Sequence, residues 1–169
     1  GSGTLTLSGN NTYSGGTTVS GGTLQAGSGT ALGTGANSVS GGVLDLNGQT
    51  LNTAGTLTLK GVTTLQNSNS STATYGGPIV IGASSSILTN TGSIALTSAT
   101  PLSLGTFTLT VGGTVGGSIS SEISGTGALT KQDAGTWVLT GTNSYTGATT
   151  VSGGVLQIGA GTSAGSLNA

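Results

Sequence analysis

Three carboxylates (Asp45, Glu122 and Asp133) and two ammonium groups (Lys60 and Lys131) are the only charged side chains in a chain of 169 residues that has no His and no Cys. A glycosidase-like acid–base pair needs two carboxylates held about 5–10 Å apart. Asp45 lies between Leu44 and Leu46 in an alternating run, so it is expected to face solvent from a strand. Asp133 sits in the turn Lys131-Gln132-Asp133-Ala134-Gly135 and is expected to be solvated as well. Pairing of Lys131 with Asp133 or Glu122 would then be an exposed ion pair of little energetic weight. Ser and Thr are abundant, but no His stands ready as a base and no Gly-x-Ser-x-Gly elbow is present. A Ser-Lys dyad would have to recruit Lys60 or Lys131, and neither has a sequence context that argues for burial.

Metal binding fares no better, because it needs clustered carboxylates, imidazoles or thiolates. The calcium-binding β-roll requires an Asp within Gly-Gly-x-Gly-x-Asp, which Gly21-Gly22-Thr23-Leu24-Gln25 lacks. Gly27-Ser28-Gly29 and Gly125-Thr126-Gly127 have neither the third Gly nor the following helix of a phosphate cradle, so they read as corners. No catalytic, cofactor-binding or metal-ligating residue is therefore expected, and no cofactor. A formal net charge of −1 leaves no basic patch for nucleic acid and no polybasic segment for an anionic bilayer. No uninterrupted apolar stretch approaches the roughly 20 residues that would insert in a membrane as a helix.

The elements that would position any site are short strands. Aliphatic residues recur at every second position in Thr4-Leu5-Thr6-Leu7, Thr23-Leu24-Gln25-Ala26, Val43-Leu44-Asp45-Leu46, Thr56-Leu57-Thr58-Leu59, Phe107-Thr108-Leu109 and Val155-Leu156-Gln157-Ile158. Gly, Asn and Ser punctuate the boundaries, and no stretch shows helical spacing with a cap, so essentially no helix is expected. The 35 Gly residues suggest disorder, but hydrophobic residues make up 33% of the chain and alternate with polar ones, which disorder does not require.

The strand pattern repeats. Gly3 to Gly27 and Gly135 to Gly159 are two versions of one sequence, and Gly3-Thr-Leu-Thr-Leu7 returns as Gly55-Thr-Leu-Thr-Leu59, Gly105-Thr-Phe-Thr-Leu109 and Gly135-Thr-Trp-Val-Leu139. Val19-Ser-Gly-Gly-Thr-Leu24 returns 20 residues later as Val39-Ser-Gly-Gly-Val-Leu44, and again as Val151-Ser-Gly-Gly-Val-Leu156. That interval suits one coil of a β-solenoid, with Val19 stacked on Val39 and Leu24 on Leu44. The competing reading makes Gly21-Gly22 the turn of a hairpin in an antiparallel sandwich, but a hairpin does not require the next copy one coil downstream. The expected fold is all-β: a parallel β-helix (β-solenoid) of about eight coils of ~20 residues, about 40 Å long, occupying 1–169 as a single segment. The chain starts in mid-pattern without Met and reads as a fragment of something longer.

The stretch Ile123 to Gly161 carries Gly-Thr-Gly-x-Leu-Thr-Lys, then Gly-Thr-x-x-Leu-x-Gly, then Asn-x-Tyr-x-Gly-x-Thr-x-Val-x-x-Gly-x-Leu. This order resembles the passenger-associated β-strand repeat of bacterial autotransporters. A second copy begins at Gly3, which places the repeats at 3–35 and 123–165, while roughly Asn47 to Ser121 departs from the pattern. The resemblance implies a right-handed parallel β-helix in a secreted passenger of type V secretion, displayed at the surface of a Gram-negative bacterium and attached through an outer-membrane barrel absent from this chain. It also implies that the repeat aids passenger folding and export.

The aromatic residues fit this frame. Trp137 takes the place of Leu5 of the first copy, so core packing is expected over a carbohydrate platform. Tyr13 and Tyr145 occupy one position of a Gly- and Asn-rich corner, which suggests a structural clasp. Thr4-x-Thr6, Thr56-x-Thr58, Thr72-x-Thr74 and Thr106-x-Thr108-x-Thr110 raise ice binding, but such a face needs the pair in every coil and the first two lie 52 residues apart. The expected role is a non-enzymatic adhesive stalk whose partner is a host or neighbouring-cell surface component, or a second copy stacked head to tail in a filament. A polysaccharide-degrading β-helix is disfavoured by the missing acid, base and cationic groups.

Overall fold

The computed structural model describes residues 1–52, 55–160 and 165–167. Within these residues the elements are strands of two to four residues, paired in parallel into three sheets of eight, six and six. Each sheet is one face of a β-solenoid. Face A runs from Thr4–Leu7 through Thr23–Ala26, Gly42–Asp45, Thr63–Gln66, Ser85–Leu88, Leu109–Gly112 and Leu129–Lys131 to Thr149–Val151. Face B runs from Thr18–Val19 to Ile123–Ser124, and face C from Thr50–Leu51 to Val155–Ile158. The chain visits the faces in the order A, C, B and back to A, about eight turns in all.

The expected stacking is present: Val19 pairs with Val39 and Leu24 with Leu44. Parallel pairing leaves no hairpin at Gly21-Gly22, because Val19 belongs to face B and Thr23 to face A. Strand alternation turns one side chain inward and the next outward. The inward row on face A reads Leu5, Leu24, Leu44, Leu65, Ile87, Val111 and Lys131. Its middle members Leu44, Leu65, Ile87 and Val111 are at most 1% exposed. Corners need close approach of stacked backbones. A Cβ on Gly113, whose φ is +103°, would stand 2.4 Å from the Thr89 carbonyl oxygen of the preceding coil.

Coil length is not constant. The offset on face A is 19 residues from Thr4 to Thr23, 20 from Leu24 to Leu44, 22 from Leu65 to Ile87, 24 from Ile87 to Val111 and 20 again from Leu109 to Leu129. The long coils fall in the stretch without the repeat signature. They shift the phase, so the two repeat copies do not occupy the same face. Thr4–Leu7 opens the first copy on face A, and its equivalent Thr136–Leu139 lies on face C. The copies are six coils and one further face apart. In each, the corner that follows the first strand replaces the strand of the next face, and the chain resumes one face later. Phe107 departs from the strand expectation: it is exposed in the turn that precedes Leu109–Gly112.

Candidate functional site

The corner shared by the two copies is built from the same three side chains. Tyr13 and Thr17 join hydroxyl to hydroxyl at 2.7 Å, and Tyr145 and Thr149 do so at 2.6 Å. Asn11 donates its amide to the Ala31 carbonyl of the next coil, and Asn143 likewise to Ser166. Asn143 also accepts the Ile123 backbone N–H at 2.9 Å. Tyr145 is 2% exposed whereas Tyr13, on the outermost coil, is 39% exposed. Burial raises the Tyr145 phenol pKa, and the bond to Thr149 acts in the other direction. These groups are spent on each other and on the adjacent coils, which is the geometry of a clasp.

Asp45 corrects an expectation. It is 2% exposed, not solvent-facing, because the chain turns immediately after it at Asn47, whose φ is +47°. The carboxylate accepts the backbone N–H groups of Asn47 (2.9 Å) and Ser68 (3.1 Å), the Ser68 hydroxyl (2.5 Å) and the Gln25 amide (3.2 Å). Burial pushes its pKa up, but the Ser68 hydroxyl, the two N–H groups and Gln25 together outweigh that and hold it below the ordinary value. Asp133 is exposed as expected, and its carboxylate accepts the Gly113 N–H at 2.9 Å. Asp45 and Asp133 occupy the same A-to-C corner four coils apart, so about 19 Å separates them at the 4.8 Å coil spacing. That is too far for a paired-carboxylate mechanism. Glu122 lies on another corner, where it accepts the Ser144 hydroxyl.

Lys131 is the second correction. It continues the inward ladder above Val111, has no exposed surface, and sends its ammonium to the carbonyls of Gln132, Asp133 and Gly153 at 2.5–3.0 Å. Burial pulls its pKa down, with the Asp133 charge opposing. The anticipated exposed ion pair gives way to a cation that caps backbone. The signal was in the sequence, since Leu129-Thr130-Lys131 alternates and puts Lys131 on the side of Leu129. Lys60 is exposed.

Trp137 is fully buried and donates its indole N–H to the Gly112 carbonyl at 3.2 Å. The Thr-x-Thr pairs are dispersed: Thr4 and Thr6 lie on face A, Thr58 on face B and Thr74 on face C. What pairing does assemble on face A is one row rich in Thr, namely Thr4, Thr23, Val43, Thr64, Ser86, Thr110, Thr130 and Thr150, beside a mixed row of Thr6, Gln25, Asp45, Gln66 and Leu88. One Thr-rich row is not the two-dimensional array of an ice-binding surface.

A family model described as the passenger-associated-transport-repeat matches residues 1–26 and 129–158, the two stretches that carry the repeated corner. The chain is 39% identical over 92 residues to the adhesin BmaC autotransporter of Brucella suis biovar 1 (strain 1330). The match covers 51% of this chain and 3% of that protein. No solved structure matches.

Proposed function

We propose that this segment of an autotransporter passenger is a non-enzymatic, adhesive β-solenoid stalk, displayed outside a Gram-negative cell and presenting a binding surface to a host or neighbouring-cell component. The observation that carries the reading is the passenger repeat, matched at both ends of one continuous solenoid. The similarity to an autotransporter adhesin supports the adhesive part. A ladder of inward aliphatics makes such a rod stiff, and three sheet faces in a chain with 3% charged residues oppose little to a close partner. In the same reading the repeat corners aid passenger folding and export, since each clasp closes a coil with its own side chains.

The test is competition: the purified segment, added to cells that display the full passenger, reduces their adherence. Unchanged adherence at saturating segment would remove the adhesive role. Loss of surface display on deletion of residues 123–165 from the passenger checks the export role. Self-association into a head-to-tail filament is the second reading, and electron microscopy would then show long uniform fibres in place of short rods.

A further inference from the structure

The A-to-C corner is not uniform along the rod. It takes four residues after Asp45 (46–49), six after Gln66 (67–72), five after Leu88 (89–93) and three after Gly112 (113–115). Two enlarged corners therefore stack on each other between two small ones, and a cleft of about 230 Å³ opens there, lined by Gln66, Asn67, Ser68, Leu88, Asn90 and Thr91. Loops that step out of a regular scaffold are where binding groups concentrate.

The floor of the cleft is held rigidly. Asn67 is 2% exposed; its oxygen accepts the N–H groups of Gly48 (2.9 Å) and Asn69 (3.1 Å), and its amide donates to the carbonyls of Ser71 (2.7 Å) and Ser93 (2.8 Å). Ser68 spends its hydroxyl proton on Asp45 at 2.5 Å, which leaves its oxygen lone pairs as acceptors on the cleft side. By contrast the Gln66 and Asn90 amides and the Thr91 hydroxyl stand in the cleft with no hydrogen-bond partner among the described residues. Leu88, half-buried, supplies the apolar part of the wall.

We propose that this cleft between the fourth and fifth coils binds a neutral sugar residue. The walls carry amides, hydroxyls and one aliphatic side chain but no charge, so an anion finds no cation. A cation meets only a carboxylate already saturated by four donors. Two amides offer paired donor and acceptor to vicinal hydroxyls, the Ser68 oxygen accepts a third hydroxyl, and Leu88 receives the C–H face of the ring. The volume lies below the roughly 300–1,000 Å³ of sites for larger ligands and suits a single ring. Preorganisation of Asn67 and Ser68 lowers the ordering cost, and the absence of an aromatic platform keeps affinity in the millimolar range.

This inference rests on the adhesive reading and gives it a ligand class. The test titrates the isotope-labelled chain with galactose, glucose, mannose and N-acetylglucosamine, and separately with glucuronic acid and inorganic phosphate, following backbone amide signals. At least one neutral sugar gives saturable shifts centred on Gln66, Ser68 and Asn90, and Gln66→Ala and Asn90→Ala each weaken it about 5-fold or more. Both side chains are outside the core, so signals of the other coils stay in place. Absence of saturable shifts with every neutral sugar, shifts centred elsewhere, equal binding by both variants, or a response to the charged probes alone overturns the proposal. Wild-type segment that competes for adherence but binds no sugar would leave the adhesive reading standing and remove this one; sugar binding without competition would do the reverse.

Discussion

Replacement of Asp45 by Ala tests whether the corner hydrogen bonds, and not the leucine ladder alone, hold adjacent coils in register. The carboxylate ties three coils, taking Gln25 from the coil before and Ser68 from the coil after while closing its own turn at Asn47. Each bond to an ionised acceptor contributes about 1.5–3 kcal/mol. Ser68 is exposed, so water recovers much of what its two donors lose, whereas the half-buried Asn47 N–H has less access to a substitute. The expected loss at neutral pH is about 3 kcal/mol, read from the urea midpoint of the far-ultraviolet circular dichroism signal. The pH dependence gives a second, independent readout. The folded carboxyl titrates below its ordinary value of 3.8, so its ionisation stabilises the fold fully above that pH, and the contribution fades as pH falls through the folded pKa. The gap between wild type and Asp45→Asn is therefore flat from about pH 5 upward and narrows below about pH 4. A loss under about 0.5 kcal/mol for Asp45→Ala, or a gap that ignores pH, would refute the account.

Trp137→Ala empties the largest buried position and removes one donor to the Gly112 carbonyl, which keeps the Thr89 N–H and hydroxyl, and is expected to cost about 3–5 kcal/mol in the same denaturation assay. Tyr145→Phe removes the buried end of a part-buried hydroxyl pair and costs about 1 kcal/mol, while Tyr13→Phe, at a 39% exposed copy of the same corner, costs less than half of that. Lys131→Met keeps ladder volume and loses only the donors to three carbonyls, so its thermal midpoint stays above that of Lys131→Ala, which adds a cavity. Equal midpoints would mean that the Lys131 stem contributes no packing.

Much of the fold was legible because its rules are local. Alternation in Thr23-Leu24-Gln25-Ala26, glycines at the corners and the 20-residue step from Val19 to Val39 each arise from backbone geometry that a short window of sequence already contains. Trp137 and the Tyr13 and Tyr145 clasps followed from comparing one copy with the other. Asp45 was misread because alternation was extended one residue too far, into a turn where Leu44, Asp45 and Leu46 are all buried. Lys131 was misread because its charge was given more weight than its place in the alternation. The cleft at Gln66 and Asn90 left a faint trace, the longer spacing between strand signals there, but nothing local says that two long corners stack.

By itself the sequence determined the solenoid, the corner chemistry and the resemblance to the passenger repeat, since each is written within one or two coils. Which face each copy occupies, which coils enlarge a corner and which polar groups end inside were decided only by the tertiary structure. Three faces with the same alternating pattern accept the same segment equally well. The choice falls to the parallel pairing between coils, where each extra corner residue shifts the phase of everything stacked after it.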